Sequence, residues 1–93
     1  MKILTVCGSG LGTSFMVEMN IKQILEELGV TGVEVNHSDL SSATPGDADV
    51  FFLAKDIAEG GAHLGHVVVL DNIIDIDELR EKVKQVLQEK GLL

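Results

Sequence analysis

Cys7-Gly8-Ser9-Gly10-Leu11-Gly12-Thr13-Ser14 follows directly on the apolar segment Ile3-Leu4-Thr5-Val6 and runs into a helix-periodic stretch that begins near Phe15. The order is strand, tight loop, helix. Glycines at alternate positions let successive backbone N–H groups curl around one point, and the helix that follows adds its unpaired N–H groups and the positive end of its dipole. Such a loop is an anion cradle. Cys7 opens it and is the only cysteine in the chain. At the rim of such a cradle a thiolate is favoured and can attack phosphorus, with the surrounding N–H groups holding the oxygens of the thiophosphate.

Spelling excludes better-known loops. A Walker A loop needs Lys and then Ser or Thr after its last glycine, whereas Gly12 is followed by Thr13. A dinucleotide fingerprint fits Gly8 and Gly10 but puts Thr13 where the third glycine belongs.

The chain has 93 residues, 45% of them hydrophobic, enough for one domain with one core. A single cysteine forms no internal disulfide, and no signal peptide or spanning apolar stretch is seen, so a cytoplasmic protein without membrane insertion is expected. The net charge of −8 disfavours nucleic acid and anionic lipid surfaces, and 3% aromatic residues leave no stacking platform for single strands. The expected partners are other proteins.

Along the chain, Lys2 to Val6 reads as a buried strand that delivers Cys7. From Thr13 or Ser14 to Leu28 the residues Val17, Ile21, Ile24, Leu25 and Leu28 make a helical stripe, stopped by Gly29. Phe15 and Met19 fall on a neighbouring stripe, and two readings stand: a docking patch beside the cradle, or cover for the core edge. Val30 to Asn36 contains a second strand, and His37 to Asp47 reads as a loop in which His37 and Asp39 are a surface polar pair. Asp49 to Ala54 is a central strand, apolar on both faces.

Lys55 and Asp56 follow that strand and, with strand order 2-1-3-4, come near Cys7 at the switch point. They read either as groups near the phosphoryl or as surface residues at a helix start, with Asp56 a possible cap. Ile57 to Gly65 reads as a glycine-rich loop. Its His63, with His66, lacks a third ligand, so no metal is expected. His66 to Leu70 is the fourth strand. The last helix is capped by Asp75 with Glu78 three residues on, buries Ile76, Leu79, Val83, Val86 and Leu87, exposes Arg80, Glu81, Lys82 and Lys84, and ends at Gly91.

Strands alternating with helical segments predict an α/β fold: a flavodoxin-like three-layer sandwich, with a four-stranded parallel sheet of order 2-1-3-4 and helices on both faces. The cysteine loop resembles that of low-molecular-weight tyrosine phosphatases, in which Cys, five residues and Arg form the site. Here Thr13 stands at the Arg position, which argues against a phosphatase or an arsenate reductase of that kind.

The spelling Val6 to Ser14, the Met16 and Met19 that follow, and the closing Leu70-Asp71-Asn72-Ile73-Ile74 resemble the IIB components of the bacterial phosphoenolpyruvate-dependent sugar phosphotransferase system, most of all the ascorbate type. The galactitol and lactose types, which share the cysteine, are the alternatives. The resemblance implies one IIB domain over residues 1–93, acting as a phosphotransferase without a cofactor. It further implies that Cys7 takes a phosphoryl group from the phosphohistidine of a IIA protein or domain and passes it to a sugar held by the membrane permease IIC. N–H groups of Gly8, Ser9, Gly10, Leu11, Gly12, Thr13 and Ser14 are then the phosphate ligands, with the hydroxyls of Ser9, Thr13 and Ser14 as further donors.

Overall fold

The computed structural model describes residues 1–8 and 12–93. Its strands are β1 (Lys2–Cys7), β2 (Glu34–Asp39), β3 (Val50–Ala54) and β4 (Val67–Leu70), its α-helices α1 (Gly12–Glu27) and α2 (Ile76–Glu89), and two 3₁₀ segments span Pro45–Asp47 and Lys55–Leu64. The sheet is parallel in the order β2-β1-β3-β4. This is the flavodoxin-like sandwich that the alternation of elements predicts.

Alternation along the strands decides what each face receives. Ile3, Val35, Val50 and Phe52 pack with Val17, Ile21, Ile24 and Leu25 of α1 and with Leu79, Val83, Val86 and Leu87 of α2. Leu4, Val6, Phe51 and Leu53 face the other way, onto Ala43, Leu40, Ile57 and Leu64. Both α-helices therefore lie on one face, and the long 3₁₀ helix covers the other. Phe51 and Phe52 are each 1% exposed, and burying side chains of that size supplies about 1.5–3 kcal/mol apiece, so β3 anchors both layers.

Several expected boundaries move. β2 runs on through His37, Ser38 and Asp39, because β1 offers it a parallel partner as far as Cys7, which is in register with Asp39. An edge strand tolerates polar side chains, which is why the segment reads as a loop. The stretch after β3 is a 3₁₀ helix, and its glycines bring it onto the sheet. A Cβ on Gly61 would lie 2.2 Å from Cδ2 of Leu53, and one on Gly60 2.8 Å from Cδ2 of Leu40. In α2, Ile76 is 38% exposed and leaves the buried stripe to Leu79, Val83, Val86 and Leu87.

The α2 surface is also less simply solvated than its charges suggest. Arg80 Nη2 reaches Glu27 Oε2 of α1 at 3.3 Å, and Lys82 donates to the carbonyl of Val69 as well as pairing with Glu78 at 2.9 Å. The Asp75 side chain caps α2 by accepting from the N–H of Glu78 (3.1 Å). Glu78 does not close the box by reaching back to Asp75. Its carboxylate accepts from the N–H groups of Asp71 (2.7 Å) and Asn72 (2.9 Å). Lys82 and these amides outweigh the slight desolvation and lower the Glu78 pKa to about 2.

Candidate functional site at the end of the first strand

β1 delivers Cys7 as its last residue, on the face covered by α1. The side chain is 8% exposed, and the thiol lies 3.1 Å from Oγ of Ser14 and 3.9 Å from the carbonyl of Ser38. A hydroxyl can turn either lone pair or proton to its neighbour, so Ser14 can accept from the thiol and donate to a thiolate. Ser14 is itself held: the Thr5 hydroxyl donates to its carbonyl at 2.7 Å, a buried bond from β1 to the first turn of α1.

That first turn carries no acidic residue, so α1 brings no carboxylate of its own to the positive end of its dipole beside the sulfur. The sulfur opens on a cleft of about 280 Å³ lined by Cys7, Gly8, Thr13, Ala54, Asp56, Ile57 and Ile73. Gly8 sits close under Ile57: a Cβ there would come within 3.1 Å of Cγ2 of Ile57, which would have to shift by a few tenths of an ångström. Beside the cleft, and sharing Ala54, Asp56 and Ile73 with it, a wider hollow of about 530 Å³ lies over the carboxyl ends of β3 and β4.

Of the residues picked from sequence, Gly8 and Thr13 line the cleft, Gly12 begins α1, and Ser14 sits buried against the sulfur. Ser9, Gly10 and Leu11 lie outside the described residues. Asp56 reaches the cleft, whereas Lys55 lines only the adjoining hollow. Phe15 and Met19 stand outward, 49% and 51% exposed. Ile57 and Ile73, to which the sequence assigns no part in the site, also line the cleft.

His37 and Asp39 do not form a pair. Asp39 caps a turn by accepting from the N–H of Ser42 (2.9 Å), and the Ser42 hydroxyl and amide hold its pKa below the ordinary value. The His37 ring instead meets Glu18 of α1 through Nδ1 and receives the edge of Phe15, with ring centroids 5.3 Å apart. Glu18, 5% exposed, also binds Lys22 Nζ at 2.7 Å. Burial works to raise the Glu18 pKa, but the hydrogen bonds and charges of Lys22 and His37 prevail and lower it. His66 lies 3.6 Å from Glu89, and among the described residues no three His, Cys, Asp or Glu side chains gather as a metal site. No described helix is long and apolar enough to cross a membrane.

Known proteins resemble this chain in sequence and in fold. A family model described as the lactose/cellobiose-specific IIB subunit of the PTS system matches residues 2–91. The ascorbate-specific PTS system EIIB component of Mycoplasma pneumoniae is 24% identical over 94 residues, covering 91% of this chain and 93% of its own. Among solved structures, the lactose-specific IIB component domain from Streptococcus pneumoniae aligns with a TM-score of 0.60 at 19% identity, covering 96% of this chain and 95% of that one. A low-molecular-weight protein tyrosine phosphatase from Bacillus subtilis aligns at 0.57 and 15% identity, over 98% and 95% of the two chains. The two structural likenesses speak for the fold alone. The family match spans nearly the whole chain, and with it this protein belongs to the lactose/cellobiose-type IIB subunit family of the sugar phosphotransferase system.

Proposed function

We propose that Cys7 is the phosphoryl carrier, loaded by the phosphohistidine of a IIA protein or domain and discharged to a sugar held by the membrane permease IIC, with L-ascorbate as the sugar. The observation that carries this reading is the single cysteine at the end of β1, its sulfur against Ser14 at the floor of a cleft, in a chain matched by the IIB family over residues 2–91. In loading, the thiolate attacks phosphorus, the S–P bond forms and the N–P bond of the donor histidine breaks. In discharge, the sugar oxygen attacks, the O–P bond forms, the S–P bond breaks and the hydroxyl proton leaves to a base on the partner or to water. The N–H groups from Gly8 to Ser14 hold the phosphoryl oxygens between the two steps.

Both displacements are in line with the sulfur. The donor nitrogen and the acceptor oxygen must therefore come to the same place, opposite the sulfur across phosphorus. With Cys7 only 8% exposed, that place is the cleft, so the two partners dock in turn and never together.

A carrier must also keep its cargo from water. Among the described residues lining the cleft there is no cation, and Thr13 stands where a phosphatase of this fold would have Arg. Turnover of p-nitrophenyl phosphate is therefore expected to be absent. The choice of ascorbate is supported by the spelling of the loop and by the Mycoplasma pneumoniae relative.

The test is to incubate the protein with phosphoenolpyruvate, the general phosphotransferase proteins and IIA. One phosphoryl group is expected by mass spectrometry, sulfur-bound by phosphorus NMR, and Cys7→Ala should accept none. Cargo on nitrogen or oxygen would end the proposal. Membranes carrying the cognate IIC should then phosphorylate ascorbate, and transfer to galactitol or lactose instead would redirect the sugar assignment.

A further inference from the structure

Glu18 is the one charged side chain among the described residues that is buried, and phosphoryl transfer at Cys7 has no direct use for it. Its contacts close a ring around the sulfur. Cys7 Sγ meets Ser14 Oγ (3.1 Å), and one helical turn further along α1 Glu18 meets His37 Nδ1 of β2. Ser38, next to His37, returns its carbonyl to Cys7 Sγ (3.9 Å). Thr5 bridges the middle of the ring, its Oγ1 2.7 Å from the Ser14 carbonyl and 3.3 Å from that of Asn36. Two of the neighbours that set the sulfur's position thus sit on separate elements, α1 and β2, and the Glu18–His37 pair ties those elements together.

We infer that Glu18 and His37 are positioning residues of the transfer site. They act through Ser14 and Ser38 and touch neither phosphoryl group nor partner. Lys22 binds the same carboxylate but sits four residues along the same helix and is half exposed, so it cannot tie the helix to the sheet. It serves as the internal control. A pair that fixes reacting groups should act on the rate of the bound complex more than on partner binding, because small misplacements at the reacting atom are costly.

The inference rests on Cys7 being the phosphoryl carrier, and its test begins by confirming one phosphoryl group on the unmodified chain. Single-turnover loading from phosphorylated IIA is then followed at rising donor concentration, on variants shown to be folded by circular dichroism. His37→Ala and Glu18→Ala are expected to lower the saturating rate about tenfold or more, with the half-saturating donor concentration changed less than about twofold. Glu18→Gln, which keeps the shape and a hydrogen bond, should recover most of the rate, and Lys22→Ala should leave it unchanged.

Three results would overturn the inference: a folded His37→Ala with the full saturating rate, a loss confined to half-saturation, or an equal loss in Lys22→Ala. If the unmodified chain takes no phosphoryl group, the carrier reading fails by itself. The ring is then judged by alkylation of Cys7 with iodoacetamide: a changed rate in His37→Ala supports it, and an unchanged rate removes it.

Discussion

The two α-helices start at the same end of the sheet, yet their first turns are finished in opposite ways. α2 is closed by the protein's own carboxylates: Asp75 caps it, Asp77 and Glu78 stand in its first turn, and Glu78 also takes the N–H groups of Asp71 and Asn72. α1 has no acidic residue in its first turn and begins beside a thiol and a cleft. A helix start can be spent on stability or kept for a ligand, since one carboxylate already neutralises much of the local positive field. In this fold α2 does the first, and under the proposed function α1 does the second.

That contrast can be broken most sharply by giving α1 the finish of α2. Thr13→Asp places a carboxylate in the first turn of α1, at the mouth of the cleft. Phosphoryl loading of Cys7 should fall about a hundredfold through repulsion and a lost donor, while the melting temperature stays level or rises, as about 0.3–1 kcal/mol of dipole stabilisation implies. Unchanged loading would show that the phosphoryl group does not sit at this helix start.

The reverse experiment opens α2. Glu78→Ala leaves two backbone N–H groups and Lys82 without their carboxylate and should cost about 2 kcal/mol in urea unfolding. Alkylation of Cys7 in the folded protein should not change.

Acid sharpens the same point. The Glu78 pKa falls from 4.5 to about 2 on folding, so its stabilisation is complete above about pH 4.5 and is lost as pH falls towards 2. Stability measured down that range should decline less steeply in Glu78→Gln than in the unmodified chain. The smallest expected effect is at the cap: Asp75→Ala should cost about 1 kcal/mol, read as a lower urea midpoint with phosphoryl loading intact.

The layout was legible where burial dictates residue type. β3 is apolar on both faces because helices cover both, and Val50 to Leu53 spell that without interruption. The place of Cys7 followed from a strand running into glycines. His37 reads as part of a loop because an edge strand need not be apolar, and nothing local marks Glu18 as its partner, 19 residues earlier in the chain. The glycines at 60 and 61 make the segment read as a loop, whereas in the fold they sit where a 3₁₀ helix closes on Leu40 and Leu53. Asp75 and Glu78 matched a capping box by spacing, but the amides of Asp71 and Asn72 competed for Glu78 and took it.

By itself the sequence determined the parallel sheet, the helix faces and the position of the one thiol, because periodicity and glycine placement act over a few neighbouring residues. Only the tertiary structure decided which side chains surround that thiol. Ser14, Ser38, Asp56, Ile57 and Ile73 come to it from separate segments, and pairings such as Glu18 with His37 depend on which strand lies beside which helix. Spacing along a chain carries no record of that adjacency.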